Sequence, residues 1–447
     1  MSFWKYRRGT PAQIILLGFL SLILGGTGLL MLPIATRGQG GAAFLDALFT
    51  ATSATCVTGL ILHDTAQYWS AFGQAVILCL IQIGGMGVVT MAVAISMFSG
   101  RKIGLKQRWV MQESISAPQV GGILRMTGFI LKASFAIEAA GAALLAVRFC
   151  PELGWGKGLW YAVFHAVSAF CNAGFDLMGA KGAFSSLTDY AADPLVNLVI
   201  ASLIVTGGLG FLTWRDIADH KWRFRRYRLQ TKLVLATTAA LVLGGLAFFA
   251  FYEFSLPQWQ GMTTAERYLA AFFQAVTPRT AGFNTVDLAA LSAPAVLVTI
   301  ALMLTGGSPG STAGGFKTTT LAVLLLNMRA VFRRRGSAYG FGRRLPDACV
   351  RNAGAIFLLY LLLTLIGGTV IACVEGAALS AALFEAASAI GTVGLTLGFT
   401  PGLSKISQAV LIFLMYAGRV GGLTMIYAVS VGTPAVSQYP QEQVTVG

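Results

Sequence analysis

Residues 305–320 read TGGSPGSTAGGFKTTT, five glycines, a proline and a lysine held between the apolar runs APAVLVTIALML and LAVLLLNM. A glycine-rich loop ending in Lys-Thr is the outline of a nucleotide-binding loop, whose backbone N–H groups cradle phosphates. The spacing does not fit: Phe316 separates Gly315 from Lys317, where such a loop sets the lysine directly after its last glycine. Gly306, Gly307, Gly310, Gly314 and Gly315 allow irregular backbone instead, and Ser311 and Thr312, beside Ala313, supply hydroxyls. Backbone of that kind is tolerated at membrane depth only where it is buried in protein or lines a watery cavity. The plainer reading is a helix kink at Pro309. Lys317 either repels cations there or pairs with a carboxylate. Arg419, in LMYAGRVGGLT, is a second charge inside an apolar run and is a functional candidate on cost alone.

Four further segments share one pattern: ALFTATSATCVTGL (47–60), AVFHAVSAFCNAGF (162–175), AFFQAVTPRTAGF (271–283) and ALFEAASAIGTVGL (382–395). Each runs from a Phe through a Ser or Thr to a glycine followed by Leu or Phe, and those glycines, Gly59, Gly174, Gly282 and Gly394, are nearly evenly spaced. This is a fourfold internal repeat. Its short segments are too short to cross a membrane and lie between longer apolar runs that are not. Two crossings per copy return the chain to the same side, so the four copies share one orientation and can surround one axis. The chemistry open to them is ion conduction: a dehydrated cation needs oxygen ligands, which rings of backbone carbonyls provide. Glycine lets those carbonyls turn inward, and the negative C-terminal end of a short helix favours a cation. The third copy is one residue shorter between Thr277 and Gly282 than its counterparts. Asp64, Asp176 and Asp287 follow filter-like glycines, where two uses fit equally: concentrating cations at an outer mouth, or capping turns and helices. Glu385 and His165, within the short helices, read as packing or hydrogen-bonding groups, and His63 and His220 have no partner spacing for metal or catalysis.

The elements that must position these residues follow from composition. Of 447 residues 56% are hydrophobic and 11% charged, and the mean hydropathy is +0.72, too apolar for a soluble protein. Eight apolar segments are long enough to span: 13–34, 70–98, 126–149, 195–214, 231–254, 294–328, 353–374 and 405–431. The net charge of +15 comes from Lys and Arg concentrated before the first span, after the second, and between Arg215 and Lys232 and Arg329 and Arg351. Topology explains this better than nucleic acid, and the positive-inside rule puts these loops and both termini in the cytoplasm of a multi-pass plasma-membrane protein. WRFRRYR also suits anionic headgroups or a cytosolic partner. Cys56, Cys79, Cys150, Cys171, Cys349 and Cys373 lack CxxC spacing, so they read as packing residues. The basic N-terminus and first apolar run read as a span rather than a signal peptide.

The chain resembles the pore-forming subunits of the Ktr potassium uptake system, in the Trk/Ktr/HKT superfamily. The resemblance rests on the four glycine segments, above all TPRTAGFNTVDL and FCNAGFDL, on SPGSTAGGFKTTT, on GRVGGLT and on the tail YPQEQVTVG, and it covers essentially the whole chain. Eight spans without an added N-terminal pair favour Ktr over the longer Trk subunits. It implies an all-α integral membrane fold of four tandem span, re-entrant helix and span repeats around one pore. The divisions are an N-terminus (1–12), repeats at 13–109, 110–228, 229–351 and 352–432, and a cytoplasmic tail (433–447).

Position by position, the resemblance implies a potassium filter of Val57, Thr58 and Gly59; Asn172, Ala173 and Gly174; Thr280, Ala281 and Gly282; and Thr392, Val393 and Gly394. A serine in place of the first glycine goes with sodium preference in plant relatives, so Gly59 argues for potassium. The loop holding Gly306, Gly307, Gly310, Ser311, Thr312, Ala313, Gly314, Gly315 and Lys317 matches the family's intramembrane gate, and Arg419 a charge facing the permeation path. Gly422 stands where the family usually has proline. The resemblance further implies a homodimer in membrane lipid, resting on a cytosolic ring of nucleotide-binding subunits. The ATP or ADP would bind that ring, with no cofactor in this chain, no nucleic acid partner, and potassium as the transported ion. Sodium stimulation is compatible with the same family. The competing readings are a secondary cation transporter with a broken-helix site, usually built from two halves rather than four copies, and a membrane-embedded enzyme. The enzyme needs a nucleophile and base in reach of each other, and the three histidines have no accompanying nucleophile motif.

Overall fold

The computed structural model describes residues 10–38, 40–98, 104–114, 122–180, 182–422 and 424–425. The tail expected at 433–447, the end of the last expected span and the basic residues Arg101 and Lys102 lie outside them. The described chain is mostly helical. In order it forms α1 (Pro11–Leu30), α2 (Phe44–Cys56), α3 (Thr65–Tyr68), α4 (Ala71–Met86), α5 (Val88–Phe98), α6 (Leu105–Ser114), α7 (Ile123–Leu153), α8 (Trp155–Phe170), α9 (Pro194–Gly208) and α10 (Phe211–His220). There follow α11 (Leu229–Phe251), α12 (Thr264–Val276), α13 (Ala293–Leu304), α14 (Thr318–Phe332), α15 (Asp347–Glu375), α16 (Leu379–Gly391) and α17 (Lys405–Val420). A small hairpin, β1 (Tyr339–Gly340) and β2 (Arg343–Arg344), precedes α15. Phe341 and Gly342 between its strands both have positive φ, 47° and 76°, the signature of a two-residue type I′ turn.

Helix starts are written in the sequence. Thr10 with Gln13 and Thr263 with Glu266 close reciprocal capping boxes, and Ser70, Asp193, Ser292 and Ser404 accept from the first free backbone N–H groups of α4, α9, α13 and α17. Four long helices, α1, α7, α11 and α15, are apolar enough to cross a membrane, and only 28–39% of their apolar windows is buried inside the protein. Most of their surface therefore suits lipid, in which an α-helix satisfies its own backbone groups. The short helices α2, α8, α12 and α16 are the reverse, with Ala47, Ala162, Ala271 and Ala382 and the neighbouring Phe49, Phe164, Phe273 and Phe384 all fully buried. Alanine lets these helices approach closely, and each phenylalanine wedges one into the core.

Two expected spans are not straight. The segments at 70–98 and 195–214 are each a pair of helices bent by 95° and 94°, at Gly87 (φ 87°) and Gly210 (φ 90°). A residue with a Cβ resists that backbone, so glycine fixes each corner. The segment at 294–328 divides into α13 and α14 around the irregular residues 305–317, and α17 ends at Gly421 (φ 89°).

Candidate functional site

The glycines ending the four short segments meet at one place. A Cβ built on Gly59 would lie 3.1 Å from the Gly174 Cα, one on Gly174 3.0 Å from that of Gly282, one on Gly282 3.3 Å from that of Gly394, and one on Gly394 2.9 Å from that of Gly59. The sequence order is thus the spatial order and the circle closes. The residue two places earlier is left-handed every time: Val57 (φ 58°), Asn172 (58°), Thr280 (74°) and Thr392 (51°). The glycines also have positive φ, whereas Thr58, Ala173, Ala281 and Val393 between them do not. Alternating handedness turns successive carbonyls toward the same side. Non-glycine residues held so cost about 1–3 kcal/mol each and persist only where the surroundings impose them.

Those surroundings are visible. Gly59 N and Gly394 N donate to the hydroxyls of Ser53 and Ser388, each at 3.1 Å, while Ser168 and Thr277 donate to the carbonyls of Phe175 (2.7 Å) and Phe283 (2.5 Å). Thr277 keeps this bond although its segment is one residue short. Ala281 N bonds to Thr277 O four residues back, where Thr58, Ala173 and Val393 reach five residues back. One turn earlier, Thr50, His165, Gln274 and Glu385 occupy equivalent places, and all four are buried. His165 Nε2 accepts from Leu177 N at 3.3 Å, so Nδ1 carries the proton donated to Tyr161 O (2.7 Å). Glu385 accepts from the hydroxyls of Thr396 and Thr400, the latter at 2.7 Å. The Ser/Thr position marked the repeat in the sequence but not a support for the glycines. The four dissimilar polar residues gave no common signal except their place after each Phe.

Beneath this ring lies the 305–317 loop. Thr312 Oγ1 donates to Phe170 O (3.0 Å) and lies 3.2 Å from the Asn172 amide, and a Cβ on Gly314 would collide with Thr392. Ser308 N donates to Gly208 O (2.9 Å), Phe211 N to Gly310 O (2.8 Å) and Thr318 N to Gly307 O (3.0 Å), so the loop's backbone is satisfied largely by the α9–α10 corner and its own ends. Lys317 Nζ donates to Ala313 O (2.8 Å) and Gly314 O (3.3 Å), carbonyls of the loop rather than a carboxylate. The Arg419 guanidinium donates to Thr312 O and to Gly84 O and Gly85 O of α4, the last at 3.0 Å, tying loop, α4 and α17 together. Ser311, Ala313, Gly315, Lys317 and Arg419 line a cavity of about 240 Å³ below.

A second recurrence escaped the sequence reading. GGMG (84–87), GGLG (207–210), GGSPG (306–310) and GRVG (418–421) occupy corresponding places, with Arg419 standing where the others have glycine. A Cβ on Gly84, Gly207 or Gly418 would strike the carbonyl of Thr55, Phe170 or Ile390, at the ends of α2, α8 and α16. This glycine sets how closely each broken helix approaches its short partner. The three aspartates act as caps: Asp64 accepts from Ala66 N, Gln67 N and Phe184 N, Asp176 from Met178 N and Asp287 from Ala289 N, each at 2.9–3.0 Å. His63 pairs with Asp46 (3.0 Å) and stacks on Tyr68, and His220 pairs with Asp216 (3.0 Å).

Residues 7–438 match the family described as TrkH, cation transport protein. The chain is 41% identical to the potassium/sodium uptake protein NtpJ of Enterococcus hirae and 39% identical to the Ktr system potassium uptake protein B of Bacillus subtilis, in each case over 99% of this chain and 98% of the relative. The crystal structure of the potassium transporter TrkH from Vibrio parahaemolyticus has the same fold, with a TM-score of 0.75 over 96% of this chain and 86% of that one at 18% identity.

Proposed function

The chain belongs to the TrkH family of cation transport proteins, and from that premise we propose that it takes up potassium across the plasma membrane through a pore on the axis of its four short helices. The observation that carries this reading is the closed circle of Gly59, Gly174, Gly282 and Gly394, each preceded by a left-handed residue. Backbone carbonyls presented by Val57, Thr58, Asn172, Ala173, Thr280, Ala281, Thr392 and Val393 replace the water of a bare cation. The negative ends of α2, α8, α12 and α16 point the same way and add to the attraction. Below them the 305–317 loop is the gate. Its contacts with Asn172 and Thr392, and its tether through Arg419 to α4, support closure. Lys317 and Arg419 place two positive charges on the same route, an added barrier to cations.

Control comes from a separate cytosolic nucleotide-binding subunit, docked on the face carrying the basic loops, with both termini on that side. The test is growth at limiting potassium of a cell lacking its own uptake systems, carrying this chain alone or with a candidate regulatory subunit. Rescue with accumulation of potassium supports the reading. Absence of rescue, with the chain in the membrane under both conditions, defeats it.

A further inference from the structure

The arginines after α14 do more than crowd one side of a membrane. Helix α14 ends in a left-handed turn at Arg334 (φ 50°), with Arg335 N donating to Ala330 O (2.9 Å) and Arg334 N to Val331 O (2.9 Å). That turn folds the chain back, and the β1–β2 hairpin closes over the helix end on a small core of Val323, Ala330, Ala338, Leu345 and Ala353. Between helix and hairpin is a cleft of about 360 Å³ lined by Arg329, Arg333, Arg335, Tyr339 and Phe341. None of its three arginines forms an ion pair among the described residues, whereas Arg344, outside the cleft, has Asp347 at 3.7 Å. The turn's own N–H groups satisfy the last carbonyls of α14, so the negative helix end is covered from this side. Phe341 also packs on Phe224 of the preceding basic loop, with Lys232 over the Phe224 ring, which brings more positive charge alongside.

We propose that this cleft binds the phosphate headgroup of an anionic phospholipid; the cytoplasmic placement rests on the function proposed above, whereas the cleft itself does not. Exposed apolar side chains beside the cleft favour lipid over a soluble anion. In the same last turn of α14, Val331 is 63% and Phe332 78% exposed, apolar side chains that suit acyl chains, one residue or two from the guanidinium groups. Guanidinium groups able to pair with phosphate, on a helix turn that also exposes apolar side chains, match the boundary between headgroup and hydrocarbon. Topological charge alone needs no cleft and no ordered hairpin, and gives no reason for three arginines to converge without a carboxylate.

The test uses the full chain in detergent micelles doped with equal phosphatidylglycerol and phosphatidylcholine of one chain length, with retained lipids counted by native mass spectrometry. Phosphatidylglycerol is expected to be retained and phosphatidylcholine not. Held against a phosphate in the cleft, each arginine's charge-assisted hydrogen bond is worth about tenfold in affinity or more, so R329Q/R333Q/R335Q should lower retention by at least on the order of a hundredfold. R223Q/R225Q/R226Q removes equal charge outside the cleft and should lower it far less. Equal loss in the two variants would reduce the effect to diffuse charge and overturn the site, as would unchanged retention in the cleft variant. Inorganic phosphate that saturates the cleft and is not displaced by phosphatidylglycerol overturns the lipid assignment. Potassium uptake by the same proteins reconstituted into sealed vesicles keeps this separate from the transport reading, which fails only if the wild-type chain carries no potassium.

Discussion

Gly59 has almost no room for change, because a Cβ there would sit 2.5 Å from the Ala173 carbonyl O on a backbone of φ 94°. Gly59→Ser must therefore shift the neighbouring Ala173–Gly174 backbone or bear strain of about 1–3 kcal/mol, enough to move relative affinities by roughly fivefold to a hundredfold. The expected outcome is weaker discrimination of potassium from sodium in paired uptake measurements, and unchanged relative uptake would count against the filter. Glu385 makes a second case. Its carboxylate holds Thr396 and Thr400 just beyond Gly394, so Glu385→Ala strands the buried Thr400 hydroxyl, at about 1–3 kcal/mol for an unsatisfied group, and frees the half-buried Thr396. Glu385→Gln keeps an acceptor, and is expected to recover selectivity that Glu385→Ala loses at equal membrane abundance. If both retain wild-type selectivity, Glu385 serves stability alone. The glycines were legible because one residue type recurs in four copies, whereas Thr50, His165, Gln274 and Glu385 share only depth and place. A repeat search compares identities, and here geometry preserved polarity and burial while chemistry diverged.

At the scale of elements, the loop and α17 are coupled by one side chain. Arg419 gives hydrogen bonds to buried carbonyls on both Thr312 and α4, and a charged donor is worth about 1.5–3 kcal/mol for each bond. Arg419→Ala is expected to raise potassium flux into vesicles by roughly tenfold or more as the tether goes, with Arg419→Lys between it and wild type. Deleting residues 310–315 should act in the same direction. Equal or lower flux from either, with normal protein in the membrane, removes the gate from the reading. The irregular loop was legible because glycine, proline and hydroxyl residues interrupt an apolar run. The corners at Gly87 and Gly210 were not, since each lies inside a continuous apolar window whose mean hydropathy scarcely registers a single glycine. Hydropathy measures how comfortably a segment sits in lipid, not its direction. The corner is set by a backbone angle and by the carbonyl that a side chain would strike.

At the scale of the whole molecule two sets of helices contrast in burial: the C-terminal halves of α2, α8, α12 and α16 are enclosed, and the long α1, α7, α11 and α15 show most of their surface outward. Polar chemistry therefore concentrates on the axis, and the outside is left for lipid and other subunits. The basic loops at Arg223, Arg225 and Arg226 and at Arg333, Arg334 and Arg335 lie toward one end, joined by the contact of Phe224 with Phe341. An acidic or nucleotide-loaded assembly approaching from that side would meet a surface of suitable sign, and such long-range attraction weakens as salt rises. The purified chain is accordingly expected to be a homodimer that binds no ATP itself and changes its potassium flux when a nucleotide-loaded ring docks. Docking should weaken between low and physiological ionic strength, because exposed charges beyond about 8–10 Å are then screened. Mass measurement in detergent decides the first part, since a monomer would remove the dimer. Labelled ATP bound by the isolated chain would place control within it, and flux unaffected by a docked ring would leave the gate without that partner.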